Sequence, residues 1–240
     1  MAMFQNTATE VEVETVDLSK TSLRDLNQRL HEVTADSGPR RWRVLHPRGG
    51  HAVAVGLDCP IEVDVEGHVG YYCAGMNKQA TVRVHGNCGV GVAENIMSGT
   101  VVVDGNASAA AAATGRGGLV VVRGDASTRC GISMKGVDIV VRGSIGNMGA
   151  FMAQRGCLVV CGDAGEALGD SIYEAHLYVR GHVKNLGADC IEKPVREHHL
   201  AELRTLLERA GITDVDASDF RRYGSARRLY NFHIDNAGAY

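Results

Sequence analysis

The sequence predicts an all-β fold: a single-stranded right-handed parallel β-helix of about seven 19-residue coils, with short helices at its N- and C-terminal ends. Three observations carry this. Gly67, Gly86, Gly105, Gly124, Gly143, Gly162 and Gly181 stand at a constant interval of 19 residues. Valine lies two positions before each of them, and two positions earlier again comes Val63, Val82, Val101, Val120, Ile139, Leu158 or Leu177. Seven positions after each glycine comes Ala74, Ala93, Ala112, Gly131, Ala150, Gly169 or Ala188, a column of small side chains. A period near twenty residues marks a repeat architecture, in which each unit buries its apolar face only against its neighbours.

One coil explains the others. In Leu119-Val-Val-Val-Arg-Gly124, Val120 and Val122 point to one side because side chains alternate along a strand. Gly124 ends the strand, where glycine suits either a positive φ or a tight backbone approach. Turn formers follow the anchors at Asn87, Asn106, Asp125, Ser144 and Asp163. Stacked in register, equivalent residues lie about 4.8 Å apart, so seven coils make a rod of about 34 Å. Consecutive strands then run parallel, and parallel crossovers are overwhelmingly right-handed. A left-handed helix of hexapeptides needs an aliphatic signal every six residues, and Val120 is followed at that spacing by Ala126, Ile132 and Asp138.

Caps flank the rod, giving residues 1–57 as an N-terminal cap, 58–193 as the β-helix and 194–240 as a C-terminal helix and tail. Ser22-Leu-Arg-Asp25 resembles a capping box, and Leu23, Leu26 and Leu30 follow at helical spacing, predicting a helix over about 23–33. Residues 195–211 predict a second helix with a stripe of Leu200, Leu203 and Leu207 and Gly211 as its C-cap. The tail holds Phe220, Tyr223, Tyr230, Phe232 and Tyr240 among Arg221, Arg222, Arg227 and Arg228. Outward-facing positions three before each anchor read Asp64, Arg83, Val102, Val121, Val140, Val159 and Tyr178, so five coils present an apolar ridge. Such a stripe needs a cover. Two candidates exist: the chain's own C-terminal helix, or a partner subunit with the tail as a second contact.

Composition narrows the function. A net charge of −3 gives no electrostatic case for nucleic acid. Neither a signal peptide nor an apolar run long enough for a membrane span is found, so a cytoplasmic protein is expected. The seven cysteines contain no CxxC pair and read as free thiols of a reducing compartment. Gly115-Arg-Gly117-Gly118 lacks the end of a phosphate loop, and Gly89-Val-Gly91-Val-Ala-Glu94 has glutamate where a dinucleotide fingerprint needs glycine. Cys157 and Cys161 lie about 13 Å apart along one strand and cannot share a zinc. His198 and His199 read as a solvated helix face. Asp104 beside Arg123, in the column Glu66, His85, Asp104, Arg123, Arg142, Cys161 and Arg180, is one mixed pair without the paired carboxylates of glycoside chemistry. No catalytic, cofactor-binding or metal-binding residue is therefore assigned on this chain.

The recurring Gly-x-x-Gly-x-x-x-Gly, clearest in Gly162-Asp-Ala-Gly165-Glu-Ala-Leu-Gly169 and one residue longer in Gly67-His-Val-Gly70-Tyr-Tyr-Cys-Ala-Gly75, resembles the glutamate synthase carboxyl-terminal β-helix (GXGXG) domain. The β-helix subunit of formylmethanofuran dehydrogenase shares that pattern. Gly70-Tyr-Tyr-Cys-Ala-Gly-Met-Asn-Lys78, Ala113-Thr-Gly-Arg-Gly-Gly118, Arg129-Cys-Gly-Ile-Ser-Met-Lys135 and Tyr230-Asn-Phe-His-Ile-Asp-Asn236 look like the stand-alone β-helix subunits of this group. The group includes the β-helix subunit of N-methylglutamate synthase, a methylamine–glutamate N-methyltransferase. The resemblance implies a non-catalytic scaffold between a class II amidotransferase-like subunit and an FMN-binding glutamate synthase-like subunit. FMN is expected on that partner and no cofactor on this chain. Two alternatives stay open: the equivalent subunit of an ammonia-using glutamate synthase-like or formyl-transfer complex, and a free-standing β-helix enzyme or binding module.

Overall fold

A computed structural model describes residues 13–38 and 40–229. Their strands form one sheet. The strands β3 (Glu62–Glu66), β4 (Thr81–Val84), β5 (Thr100–Val103), β6 (Leu119–Val122), β7 (Asp138–Val141), β8 (Cys157–Val160) and β9 (His176–Val179) pair in parallel. Each is displaced by the 19-residue repeat, as in Val82↔Val101 and Val101↔Val120. Upstream, β1 (Val13–Asp17) and β2 (Arg41–Leu45) extend the same parallel ladder. The result is a parallel β-solenoid of about seven turns. Its interior is the stacked aliphatic columns, with Val82, Val101, Val120, Ile139 and Leu158 fully buried. A second ladder runs along the corner two residues past the anchors, Val69↔Cys88↔Ala107↔Ala126↔Ile145↔Ala164↔Val183.

Of the two reasons a glycine could be needed at the anchors, close backbone approach is the one that applies. Among the anchors only Gly67 has a positive φ, +131°. The others are glycine because the neighbouring coil passes too close: a Cβ on Gly86 would lie 2.6 Å from the carbonyl carbon of Gly67. The left-handed residues sit instead in the small column, where Ala74, Ala93, Ala112 and Ala150 have φ of 53–56°. Positions two before and two after share that conformation, as at Met148 and Met152 around Ala150. Amides in this arc point alternately to the two neighbouring coils: Ala112 N–H donates to Val92 O, whereas Thr114 N–H donates to Ile132 O. The arc thus closes each coil without leaving those backbone groups unpaired. The turn formers form a ladder too: Asn87 Oδ1 accepts from Asn106 N–H, Asn106 Oδ1 from Asp125 N–H and Asp125 Oδ1 from Ser144 N–H, at 2.7–2.8 Å.

The caps pack on this rod. Helix α1 spans Leu23–His31, two residues shorter than expected, with Ser22 accepting from Asp25 N–H and Leu26 and Leu30 buried. Helix α2 spans Glu197–Arg209, and Gly211 follows it at φ +68° with its N–H on Glu208 O. Its buried stripe is His199, Leu203, Leu206 and Leu207, while Leu200 is only partly buried. The stripe adds Leu206 to the expected set because the surface it meets is wider than one row. That surface is the apolar ridge: Val121, Val140, Val159 and Tyr178 are buried against Leu203, Leu206, Leu207, Ile212 and Phe220. The chain's own helix is therefore the cover. Each such side chain contributes about 1.5–3 kcal/mol when fully buried.

Beyond α2 the chain returns through the 3₁₀ turn Ala217–Asp219 into β11 (Arg221–Ser225), which inserts antiparallel between β9 and β10 (Cys190–Lys193). Phe220 and Tyr223 are buried inside the protein, so these two tail residues are core rather than a free docking surface. Tyr230, Phe232 and Tyr240 lie outside the described residues. All seven cysteines are free and buried. Among the described residues no helix is long and apolar enough to cross a membrane.

Candidate functional site

The sequence's mixed charge column becomes a closed network on the outer face of β3–β6. Arg83 grips Asp104 with two hydrogen bonds of 2.9 and 3.1 Å. His85 bridges Asp104 at 2.9 Å and Asp64 at 2.7 Å, and Arg123 reaches Asp104 at 3.2 Å. Burial opposes ionisation of Asp104, but the bonds and charge of Arg83 and the bond from His85 hold its carboxyl below the usual range. Every charge in this network faces an opposite one. The Asp104–Arg123 pair is thus part of a polar staple across coils rather than a reactive pair.

A richer arrangement lies under α2. The 19-residue register places Cys157 on β8 directly beside His176 on β9. Docking of α2 brings Glu202 onto both, with ligand-type atoms of the three residues within 4.8 Å of one another. Glu202 Oε2 accepts from Tyr178 Oη–H at 2.6 Å and lies 2.9 Å from His176 Nδ1. The bond from His176, outweighing burial and aided by Tyr178, lowers the Glu202 pKa to about 2. Burial, with Glu202 and Asp138 nearby, pushes the Cys157 thiol far above its ordinary range. A thiol, an imidazole and a carboxylate are a donor set that suits zinc. Each of these donors nevertheless has a partner inside the protein, so the cluster is complete as a polar tether between helix and sheet.

Next to this tether opens a cleft of about 340 Å³, bordered by the first turn of α2, β11 and the segment before β9. His198 and His199, expected as one solvated face, divide here. His198 is exposed, whereas His199 is 5% exposed and stands edge-on to His176 with ring centroids 5.4 Å apart. The Nδ1 of His199 accepts the Arg196 N–H at 3.0 Å, so its neutral ring carries the proton on Nε2. Burial first, then the positive charges of Arg222, His198 and His176, lowers its pKa to about 4.

Of the Cys157–His176–Glu202 cluster, the sequence pattern singles out Cys157 alone, paired with Cys161 rather than with His176 and Glu202. A signal for part of it exists: the column five before each anchor reads Leu119, Asp138, Cys157 and His176 in successive coils. Glu202 has no such signal, since only the docking angle of α2 brings it there. Cys157 and Cys161, which strand spacing keeps from sharing a metal, are both buried, and only Cys157 belongs to the cluster.

The chain is similar to Protein GlxC of Rhizobium meliloti (strain 1021), with 63% identity over 225 residues that cover 94% of this chain and 99% of that protein. No family model matches it.

Proposed function

Because the chain belongs to the family of Protein GlxC, we propose that it is the β-helix scaffold subunit of a glutamate synthase-like enzyme, and specifically of N-methylglutamate synthase. In this reading it holds an amidotransferase-like subunit and an FMN-binding synthase subunit in register. The complex converts methylamine and L-glutamate into N-methyl-L-glutamate and ammonia. It acts in the cytoplasm, and the chain itself performs no step of the chemistry.

The observation that carries the reading is the parallel solenoid of about seven turns, stacked on glycines at 19-residue intervals. Every anchor from Gly86 to Gly181 is set by coil-to-coil contact. A polypeptide committed this fully to stacking offers long, rigid flanks, and rigid repeats characteristically serve as extended binding surfaces. The outer charges of β3–β6 are paired with one another, which suits a surface that positions rather than reacts.

The test is isolation of the tagged chain from its own cells, followed by assay of whatever assembles with it. The expected result is a complex containing a flavin-bearing synthase and an amidotransferase-like chain, with N-methylglutamate formed from methylamine. A complex that uses ammonia but not methylamine would move the chain to the ammonia-using relatives. Recovery of the chain alone, with no flavoprotein, would overturn the scaffold reading.

A further inference from the structure

The cleft beside α2 carries more positive charge than the protein neutralises. Arg227, on its wall, is paired with Glu174 by two bonds of 3.0 Å, so those two charges cancel. Glu202, beneath, is held by His176 and Tyr178. That leaves Lys193, Arg196 and Arg222 on the same wall, and none of the three forms an ion pair among the described residues. Arg222 Nε is buried with no hydrogen-bond partner among the described residues. A buried guanidinium nitrogen left unpaired costs the full desolvation of that donor, so such groups normally find a partner. The first turn of α2 adds the positive end of a helix dipole to the same space.

His199 responds to this field. It lines the cleft and stays neutral because burial and neighbouring positive charges disfavour a second proton. Its Nε2–H is then a neutral donor next to three cations. The planar fork of arginine matches carboxylate and phosphate oxygens two at a time, and Arg196 and Arg222 approach from different elements, the N-cap of α2 and β11. A volume of about 340 Å³ lies within the range of small-ligand sites.

We propose that this cleft binds a small oxyanion, a carboxylate or phosphate group, through Arg196, Arg222 and Lys193 with His199 as a neutral donor. Ligand binding is then a property of the scaffold subunit itself, independent of which complex it joins. An anion seated there supplies the charge that the fold withholds from these three residues.

The experiment titrates the full chain at low salt with inorganic phosphate and, separately, with succinate, followed by calorimetry and by the histidine ring resonances. Saturable binding of at least one probe is expected, with the His199 pKa rising as the ligand offsets its cationic neighbours. Phosphate alone would identify a phosphoryl ligand, and succinate alone a carboxylate. Arg196→Gln lies at an exposed position and should keep the fold while weakening binding by about tenfold or more, the loss of one charged hydrogen bond. Arg222→Lys, keeping charge but losing the fork, should fall between. Arg204→Gln, on the outer face of α2 and paired with Glu197, should bind as the parent does. Absence of saturation with both probes, or equal affinity in the Arg196 and Arg204 variants, would overturn the proposal.

Discussion

Gly124 and Ala112 look interchangeable in composition, yet they meet opposite demands. A Cβ on Gly124 would fall 2.1 Å from Asn106 Oδ1 and 2.8 Å from Gly105 O, while Ala112 holds φ at 55° inside the coil. Gly86 is the cleaner case, since all three nearest atoms to its added Cβ are backbone of the preceding coil. Gly86→Ala should therefore destabilise by about 1–3 kcal/mol through overpacking. Ala112→Gly removes left-handed strain of about 1–2 kcal/mol. It also loses a buried methyl and adds glycine's unfolded-state freedom, each about 1 kcal/mol or less. Its net change should be within about 1 kcal/mol. Denaturant melts of both variants decide it, and equal losses would mean that the two columns have been assigned the wrong roles. The titration of His199 is a second residue-scale test. Its pKa is lowered from 6.5 to about 4, so the unfolded chain binds the extra proton first, and stability falls as pH drops from 6.5 toward 4. Ring resonances should show His199 neutral at pH 5; a midpoint near 6.5 would contradict the burial described for it.

At the scale of elements, α2 acts as the lid of the apolar ridge, and two kinds of bond hold it there. The apolar part is Leu203, Leu206 and Leu207 on Val121, Val140 and Val159. The polar part is Glu202 on His176 and Tyr178, with Arg142 paired to Asp214 just beyond the helix by two bonds of 2.7 Å. Val140→Asp, alone or with Val121→Asp, places an unpaired carboxylate where the side chain has no solvent exposure and should unfold the isolated chain. A folded, monomeric Val140→Asp protein would show that the lid is dispensable. The Glu202 contribution has its own pH window. Its pKa is depressed from 4.5 to about 2, so its stabilisation is complete above 4.5 and is lost as pH falls toward 2. Glu202→Gln should flatten the acid limb of a stability profile across that window, and an unchanged limb would place the acid sensitivity elsewhere.

For the whole molecule, the repeat made most of the fold legible. Every coil from Gly67 onward shows in sequence as an aliphatic pair, a glycine and a small residue, because neighbours one coil apart impose the same packing 19 residues later. The meaning of the glycine and alanine columns was not legible, since composition reports smallness but not whether φ or a neighbouring backbone demands it. Nor was the cleft. Arg196, Arg222 and His199 meet only after β11 turns back between β9 and β10, a contact outside the repeat's period. Likewise Phe220 and Tyr223 read as exposed anchors because the return strand that buries them carries no periodic signal.

The role proposed for this rod is to organise catalysis done by others. Its most direct measurement is reconstitution from separately purified subunits: the FMN-binding synthase, the amidotransferase-like chain and this protein. The isolated chain should show no flavin bands and no turnover of glutamate or methylamine. Adding it should join the other two into one sedimenting complex that forms N-methylglutamate. Full activity of the two partners without this chain, or turnover by the chain alone, would contradict that role.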